Sequence, residues 1–534
     1  MRKIIELFRK ISVFLRFPFI RELKFFIIIL IISSIVDIVV YAYTASLLKA
    51  AFIGLHHYLV CYFLTLVLWV LPHKIKSIYK AVVLLLVGLN FLIDFVCIYS
   101  FHSVFSEYFV SIFSNTNFNE IIEFIQTYVS PFQIAAFGLF FILLYFFYRK
   151  ILKPAHCSLG KKASFLGLGG VIVGMVCIPF VSTKNVGNIS IIKYYTILKD
   201  TPPDLKSYMA NPELVISKKD HPRKLVLIIG ESFAKSHCSL YDYAKQTNPL
   251  LKSLKDSNLL YLFNDVVSPA VNTVPAFKCI MSTYKPELKD SVDWFKCITL
   301  NEILNKVGYE TYWFSNQNRN GMWDNVVTQY ASLSNFVYFN GEKFAVKNKT
   351  DLDGDLIPLI KKYGQLDKDV KKVYIVHLMG SHHDFNKRYP KGNDRFKTQD
   401  YLEYPEMQRQ KLAEYDNSVL YNDSVIYELI KLFDTGESIV FYFPDHGLDV
   451  YESRDDYVGH AIHNNKMSIK VASDIPFMVY MNEAFQTRFP DLSRQLKENV
   501  NTPFRTDDFI YTVMDLLGIK FQQNKDVEKY SLLR

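Results

Sequence analysis

Five apolar stretches in the first third of the chain constrain its fold more than any other feature. They lie at about 24–48, 50–71, 79–100, 131–149 and 164–183 of the 534 residues. Each is close to the roughly 20 residues that a helix needs to cross a bilayer. The first stretch starts late and others follow it, so it is not a cleavable signal peptide. The sequence therefore predicts a five-helix transmembrane domain over residues 1–183.

Basic residues predict the orientation of these helices. Lysine and arginine are concentrated before the first stretch, between the second and third, and between the fourth and fifth. Such segments stay in the cytoplasm, so five spans place the rest of the chain on the opposite side of the membrane. The same segments hold much of the net charge of +9, and no basic cluster with interleaved aromatic residues follows them. The sequence therefore indicates a multi-pass membrane protein without a nucleic-acid partner.

The remainder of the chain is predicted to be an α/β domain. Residues 184–222, which contain helix-stopping prolines, are predicted to be a juxtamembrane connector, and residues 223–534 the outer domain. Apolar strand candidates lie at 224–229, 260–267, 309–315, 371–378, 438–443 and 475–480. Helix candidates lie at 245–256, 275–283, 299–307, 354–363, 405–433 and 505–517. Their alternation predicts a mostly parallel sheet flanked by helices.

Two of the predicted strands lead directly into ionisable side chains. The first ends at Gly230 and is followed by Glu231, and a later one is followed by Asp445 and His446. Ligands bind at the carboxyl edge of such sheets, where residues of this kind meet. Two carboxylates with an imidazole suit Zn²⁺ and also accept Mn²⁺. Taken singly, Glu231 could only be a neighbour of a helix N-terminus and His446 a structural histidine.

Thr273 is the first candidate nucleophile. It follows a predicted strand and precedes Pro275, a residue type that is well placed in the first turn of a helix. A hydroxyl at that position lies among backbone amides that favour phosphate. The alternative is that Thr273 only caps the helix, and Ser268 is the second candidate nucleophile.

Several histidines follow other predicted strands. His382 comes after a Gly-Ser turn and is placed to face a ligand, whereas His377 lies in or next to an apolar run and is expected to be structural. His383 is expected to be solvated. Either His460 or His463 could stabilise transition-state charge or protonate a leaving group beside a phosphate site.

Two further features leave alternatives open. Asn316 and Asn318 follow the strand candidate 309–315, and their amides could bind a polar head group or a sugar, or could form an ordinary polar loop. Seven cysteines are too few for a disulfide scaffold. Cys279 and Cys297 could pair in an oxidising compartment, a question that the sequence leaves open.

In chain order, these motifs resemble those of a known family. They are a Gly-Glu-Ser strand end, a threonine that opens a helix, a Gly-Ser-His turn and an Asp-His-Gly strand end. The same order behind five spans is typical of the phosphoethanolamine transferases of Gram-negative envelopes, which belong to the alkaline phosphatase/sulfatase superfamily. The resemblance covers nearly the whole chain and implies an alkaline-phosphatase-like fold for the outer domain.

The resemblance also implies a site and a reaction. The zinc ligands would be Glu231, Thr273, Asp445 and His446. Thr273 would attack phosphatidylethanolamine and then pass phosphoethanolamine to lipopolysaccharide, at a core sugar or lipid A, or to a periplasmic glycan. His382 and His460 would contact the phosphoryl group or a second metal ion. The enzyme would lie in the bacterial inner membrane, with its catalytic domain in the periplasm.

The sequence departs from the family pattern at two positions. Ala270 stands where the lipid A-modifying branch has a threonine, so the chain looks closer to the branch that acts on core sugars or glucans. Leu448 stands where many relatives have glutamate, which leaves the choice between His460 and His463 open. A phosphoglycerol transferase, or a hydrolase of the sulfatase or phosphodiesterase type, would use the same residues. A protein that only binds envelope glycans is disfavoured, because the acid, hydroxyl and Asp-His set is intact.

Overall fold

The computed structural model describes two compact units of the chain. The described segments are 12–44, 47–101, 129–151, 205–288, 291–317, 326–340, 352–366, 370–462, 465–522 and 527–533. Those up to residue 151 belong to the first unit and those from residue 205 to the second. The predicted fifth span, 164–183, lies outside the described residues.

The first unit consists of helices formed by the apolar stretches. They are α1 (Phe17–Ile20), α2 (Leu23–Thr44), α3 (Leu47–Val70), α4 (His73–Phe101) and α5 (Pro131–Ile151). Helix α2 packs against both α3 and α4, and Phe25, Ile29 and Leu68 are buried in the core of this unit. Lys80 and Glu22 form a buried ion pair at 2.6 Å.

Two of these helices are long and apolar enough to cross a membrane by length and composition. The qualifying segments, among the described residues, are Ile53–Val70 and His73–Cys97. Shorter apolar segments lie at Leu23–Val36 and Pro131–Ile142. Helices thus occur at four of the predicted spans, and the count of five remains a prediction.

A seven-stranded sheet forms the centre of the second unit. Its strands are β1 (Lys224–Gly230), β2 (Leu260–Phe263), β3 (Glu310–Ser315), β4 (Phe336–Phe339), β5 (Lys372–His377), β6 (Ile439–Pro444) and β7 (Phe477–Met481). The order across the sheet is β2-β7-β6-β1-β5-β3-β4. Strand β7 runs antiparallel to both β2 and β6, and the other neighbouring pairs are parallel. The predicted α/β class with a mostly parallel sheet is confirmed.

Alternation along β1 explains why this sheet has a core on each face. Leu225, Leu227 and Ile229 belong to one hydrophobic core, and Val226 and Ile228 belong to the other. Successive side chains of a strand point to opposite faces, so the sequence of a strand that is buried on both faces is a continuous apolar run.

The helices described in this unit are α6 (Pro249–Asp256), α7 (Thr273–Ile280), α8 (Leu300–Lys306), α9 (Val326–Ser332), α10 (Leu356–Tyr363), α11 (Glu406–Phe433), α12 (Lys466–Ser473), α13 (Glu483–Arg488), α14 (Pro490–Glu498), α15 (Phe509–Leu516) and α16 (Val527–Tyr530).

Part of the predicted connector, 184–222, is folded into the second unit. Leu214–Ile216 pairs antiparallel with Ile519–Phe521, and the ring of Tyr208 lies 4.9 Å from that of Phe295. The described end of the connector is therefore held by strand pairing. The sequence pattern misses this strand, and also the edge strand β4, because three or four residues give too short a periodic signal.

Candidate active site

Glu231 lies at the carboxyl end of the central strand β1, where the chain turns sharply. Ser232 has a φ of 55°, a left-handed conformation that costs free energy in a residue other than glycine. Its hydroxyl donates a 2.6 Å hydrogen bond to Glu231 Oε1, and the Tyr415 hydroxyl donates to Ser232 O. These contacts hold the Glu231 carboxylate in one orientation at the sheet edge.

Asp445 and His446 follow the neighbouring strand β6. Because β6 and β1 pair in parallel, with Pro444 beside Gly230, the residues after both strands meet at the same edge. His446 N donates to Asp445 Oδ1 at 2.8 Å, and His446 Nδ1 lies 2.7 Å from Gly447 O. The second contact assigns the proton of the neutral ring to Nδ1 and leaves Nε2 available as a ligand.

Glu231, Asp445 and His446 together form a buried cluster that fits a divalent cation. One possible ligand atom from each lies within 4.8 Å of the other two. His446 Nε2 is 3.1 Å from Glu231 Oε1 and 3.6 Å from Asp445 Oδ2. Asp445 Oδ2 is buried and has no hydrogen-bond donor of ordinary geometry among the described residues. Two carboxylates and an imidazole are ligands that Zn²⁺ takes in proteins. The buried Asp445 oxygen without a hydrogen-bond donor would be satisfied by such an ion.

The protonation of the cluster explains why it favours a cation. Burial raises the pKa of Asp445 well above its usual value, and the Glu231 carboxylate raises it further. Burial also opposes the ionisation of Glu231, but the charge on His446 holds the Glu231 pKa well below its usual value. Burial lowers the pKa of His446, and Asp445 and Glu231 outweigh this and raise it to about 9. One imidazolium does not offset the charges of two buried carboxylates, so Asp445 keeps its proton to higher pH, and a bound cation would allow both groups to ionise.

Thr273 brings a hydroxyl group to this cluster from helix α7. The helix begins at Thr273 and Asn272 is its N-cap, so the alternative that Thr273 is the cap is wrong. Thr273 Oγ1 donates to Glu231 Oε2 at 3.0 Å and lies 3.4 Å from His446 Nε2. The hydroxyl is therefore directed at the candidate metal ligands, where a nucleophile is needed.

Ser268, the second candidate nucleophile, contacts backbone carbonyl groups instead. Its hydroxyl lies 2.5 Å from Asp445 O and 2.7 Å from Ala270 O, and its side chain is almost fully buried. A hydroxyl engaged in this way holds the backbone of a metal-ligand candidate in place. Ser268 is therefore a supporting residue of the site.

Further histidines surround the cluster. The His460 ring centroid lies 4.9 Å from that of His446, 5.3 Å from that of His383 and 6.4 Å from that of His382. Burial, and then the charge on His446, lowers the pKa of His460 to about 3. His383, expected to be solvated, is half-buried within this group, and burial followed by His460 lowers its pKa. His463 lies outside the described residues, so the choice between it and His460 stays open.

His377 has the contacts of a structural histidine. It is fully buried in β5, its ring lies 4.8 Å from that of Phe277, and its Nδ1 lies 3.2 Å from Ser315 Oγ. Burial lowers its pKa to about 4, so the ring is neutral near pH 7. This agrees with its position in a buried strand.

The Asn316 side chain, which is predicted to bind substrate, contacts other residues of the protein in this structure, and its role in substrate binding stays a prediction. Its Nδ2 donates to Asp353 Oδ1 at 2.8 Å, and its Oδ1 accepts from Asn340 Nδ2 at 2.9 Å. Both ends of the amide are thus engaged within the protein. Asn318 lies outside the described residues, so its predicted substrate contact remains a prediction.

The neighbouring Gln317 contacts the metal-ligand candidate Glu231. Its Nε2 lies 3.4 Å from Glu231 Oε2 and 3.3 Å from Leu378 O. Side chains of consecutive residues in extended chain point to opposite sides, so an error of one residue reverses the orientation. Gln317 therefore steadies the Glu231 carboxylate, and the sequence contains no signal that distinguishes it from the neighbouring amides.

The Gly-Ser-His turn that carries His382 is fixed against the backbone of Glu231. Asp353 accepts hydrogen bonds from Met379 N and Gly380 N, both at 2.8 Å, and Ser381 N donates to Glu231 O. Gly380 has a φ of 54°, and a Cβ there would lie 2.5 Å from Glu231 O. Both the conformation and the close approach therefore require glycine.

We expect Gly380→Ala to destabilise the second unit and to weaken metal binding at the same time. A positive φ costs a residue with a Cβ roughly 1–2 kcal/mol, and relief of the collision would displace a metal-ligand candidate. The matched control is Gly392→Ala, because Gly392 also has a positive φ, of 88°, but has no heavy atom within 4 Å of the added Cβ. Thermal unfolding and metal titration check the comparison. Equal losses of stability in both variants, with metal affinity unchanged, would contradict it.

The cysteines of the second unit are unpaired. Cys238, Cys279 and Cys297 are free and buried, so a Cys279–Cys297 disulfide is absent from this structure. Burial raises the pKa of Cys279 to about 12 and that of Cys297 to about 11. Both groups are therefore thiols near pH 7 and poor nucleophiles.

Comparison with known proteins places this arrangement in a family. Residues 223–519, more than half of the chain, match the family model Sulfatase. The chain belongs to the sulfatase family. The matched range contains Thr273 and the three residues of the buried cluster, so the candidate active site lies within the sulfatase domain.

Several relatives of this sulfatase-family chain are named phosphoethanolamine transferases. Phosphoethanolamine transferase EptC of Escherichia coli O18:K1:H7 is 28% identical over 310 residues, which cover 57% of this chain and 52% of that protein. The chain thus spans about half the length of this relative. The resemblance inferred from the order of the motifs is confirmed.

Solved structures agree with the sulfatase-family fold. The C-terminal periplasmic domain of EptC from Escherichia coli, in complex with Zn, is 25% identical with a TM-score of 0.55, over 60% of this chain and 89% of that chain. The integral membrane protein lipooligosaccharide phosphoethanolamine transferase A from Neisseria meningitidis is 18% identical with a TM-score of 0.64, over 97% of this chain and 96% of that chain. The second likeness concerns the fold alone, an alkaline-phosphatase-like domain together with a membrane domain.

Proposed function

We propose that this chain is a membrane-bound transferase that moves phosphoethanolamine from phosphatidylethanolamine to lipopolysaccharide or another envelope glycan. The observation that carries the proposal is the direction of the Thr273 hydroxyl, toward Glu231 and His446 in a buried cluster that fits a divalent cation. Relatives named phosphoethanolamine transferases support the group transferred. Apolar helices in the same chain support a donor that is a lipid.

Zn²⁺ is the proposed metal ion. Glu231, Asp445 and His446 would hold it, and Thr273 would complete four ligands, the number that zinc prefers. The related EptC domain is described as a complex with Zn. When bound, the ion lowers the pKa of a nucleophilic hydroxyl and makes it reactive near neutral pH. Mn²⁺ also accepts such ligands, and metal analysis of the purified protein distinguishes the two.

Thr273 is the proposed nucleophile of a two-step transfer. Its hydroxyl gives its proton to Glu231 Oε2, and its Oγ forms a bond to the phosphorus atom of the donor. The bond from phosphorus to the diacylglycerol oxygen breaks, and that oxygen takes a proton from His382. Diacylglycerol leaves and phosphoethanolamine remains on Thr273.

The second step regenerates the enzyme. An acceptor hydroxyl gives its proton to the same histidine and attacks the phosphorus atom. The bond from phosphorus to the Thr273 oxygen breaks, and that oxygen regains its proton from Glu231 Oε2. His460, whose pKa is lowered to about 3, is neutral near pH 7 and is assigned to contact a phosphoryl oxygen. Whether a second ion joins His382 and His460 is answered by the metal stoichiometry.

The proposed location follows from the predicted spans. Residues 1–183 are assigned to the bacterial inner membrane as a multi-pass domain, and residues 223–534 to the periplasm as the catalytic domain. The basic segments between the apolar stretches support this orientation. A periplasmic catalytic domain would lie on the same side as envelope acceptors.

The test of the proposed function is mass spectrometry of envelope glycolipids from strains with and without this gene. We expect one extra phosphoethanolamine group on core sugar, lipid A or glucan when the gene is expressed, and none when it carries Thr273→Ala. The modified fragment identifies the acceptor. An extra phosphoglycerol group would support the alternative transferase, and identical glycolipids in all strains would contradict transfer to these acceptors.

A further inference from the structure

Helix α12, Lys466–Ser473, presents an unexpected face to solvent. Met467 and Ile469 are 49% and 41% exposed, whereas Ser468 and Ala472 are fully buried. A surface helix of a soluble domain normally turns its large apolar residues inward and its polar residues outward. Helix α12 has the reverse arrangement, with its larger apolar side chains outside.

Two lysines share this exposed face. Lys466 and Lys470 are four residues apart and Ile469 lies between them, so the three lie on one side of the helix, with Met467 beside them. Neither lysine has a carboxylate partner among the described residues. Lys466 lies in the first turn, which contains no acidic residue and where the helix dipole disfavours a cation. Lys470 lies in the last turn, where the helix dipole favours a cation, so helix stability accounts for Lys470 and not for Lys466.

The same helix is attached to the candidate active site. Its residue Ala472 accepts a hydrogen bond from Gly447 N at 2.8 Å, and Gly447 directly follows His446. Its residue Ser468 accepts a hydrogen bond from Ile462 N at 2.8 Å, in the segment just after His460. The exposed face therefore belongs to a helix that is hydrogen-bonded to the loops that carry the candidate active site.

We propose that this face of α12, formed by Lys466, Met467, Ile469 and Lys470, docks on a phospholipid surface that contains anionic lipid. Met467 and Ile469 would enter the boundary between head groups and acyl chains, and the two ammonium groups would contact lipid phosphates. Charge complementarity selects an anionic surface, and the apolar helices of the first unit bring a bilayer to the same molecule. The inference goes beyond the proposed reaction, because it concerns where the second unit touches the membrane, whatever group is transferred.

The docking surface is tested by photocrosslinking of the full-length protein in nanodiscs of phosphatidylethanolamine and phosphatidylglycerol. The crosslinking residue p-benzoylphenylalanine replaces Met467, and, in a matched control, Met407, which is 73% exposed on α11 of the same unit. Mass spectrometry then measures lipid adducts after illumination. We expect several-fold more phospholipid adduct from position 467 than from position 407.

The role of charge is tested in the same nanodiscs with Lys466→Glu and Lys470→Glu together. Each lysine near an anionic surface contributes on the order of a five-fold change in binding, so we expect a large loss of adduct that disappears in nanodiscs of phosphatidylethanolamine alone. Added salt should reduce the difference. The proposal would be overturned by equal adduct yields at positions 467 and 407, or by adducts only to the protein's own helices. It would also be overturned if the two lysine-to-glutamate substitutions left the adduct yield unchanged in the anionic nanodiscs. Crosslinking needs no turnover, so its failure is distinguishable from failure of the proposed transferase function.

Discussion

Thr273→Ala is expected to abolish phosphoethanolamine transfer, by at least about 10³-fold, while the second unit stays folded. The variant removes the hydroxyl that lies 3.0 Å from Glu231 Oε2 and 3.4 Å from His446 Nε2. Stability should change by less than about 1 kcal/mol, because Asn272 and not Thr273 is the helix cap. Release of diacylglycerol from a fluorescent donor lipid measures the first step, and thermal unfolding measures the fold.

Two matched variants separate the chemistry at Thr273 from general disturbance of the site. Thr273→Ser keeps a hydroxyl and is expected to retain measurable transfer. Ser268→Ala removes a neighbouring hydroxyl whose hydrogen bonds in the described structure are to backbone groups, so we expect a loss of stability with transfer preserved to within about ten-fold. Full transfer by Thr273→Ala, or complete loss in Ser268→Ala with normal metal content, would assign the nucleophile to Ser268.

Asp445→Asn is expected to remove tight metal binding and, in the metal-free protein, to increase stability. The charge that Asp445 gives to a cation is lost, so metal affinity should fall by more than about 100-fold. Without a cation, the same charge is buried next to Glu231, and burial followed by that carboxylate raises the Asp445 pKa well above its usual value. Asparagine keeps the oxygen that accepts from His446 N and removes the unfavourable charge.

The sign of the pH dependence follows from this raised pKa. The unfolded chain releases the Asp445 proton near the usual value of about 3.9, whereas the folded metal-free protein holds it to higher pH. Stability of the metal-free protein therefore falls as pH rises above about 4 toward the folded-state pKa, and Asp445→Asn removes this part of the fall. Unfolding with a chelator at pH 5 and pH 7.5 measures the difference between the two proteins.

Asp423→Asn is the control for a buried carboxylate outside the metal cluster. Burial raises the pKa of Asp423 to about 7, and its oxygens accept hydrogen bonds from Leu250 N and Leu251 N. Its replacement should leave metal affinity unchanged. A metal-free Asp445→Asn protein that is less stable than the wild type, or one that binds metal with wild-type affinity, would contradict the proposed role of Asp445.

The metal cluster could be predicted from the sequence because each of its members directly follows a buried strand. Parallel pairing of β1 and β6 brings Glu231 beside Asp445 and His446 without help from any loop. Thr273 could be predicted because Pro275 marks the start of its helix. These positions depend on strand ends and helix starts, which leave clear patterns in a sequence.

The supporting residues could not be predicted, because their positions depend on turns. Asn316 and Gln317 differ by one residue and lie on opposite sides of the chain, and nothing in their residue types shows which one faces Glu231. Asp353 directly precedes a predicted helix, 354–363, and nothing in that pattern directs it to the Gly-Ser-His turn. The orientation of Ser268 toward Asp445 O likewise follows from tertiary packing and not from local pattern.

Covalent modification of Thr273 is the most direct test of the central claim. The purified zinc-loaded protein is incubated with phosphatidylethanolamine in detergent without an acceptor, denatured, digested and analysed by mass spectrometry. We predict one phosphoethanolamine group on the peptide that contains Thr273, and its absence from Thr273→Ala and from the chelated protein. Release of diacylglycerol with no modified peptide, or with the group on another residue, would contradict the claim that Thr273 is the nucleophile.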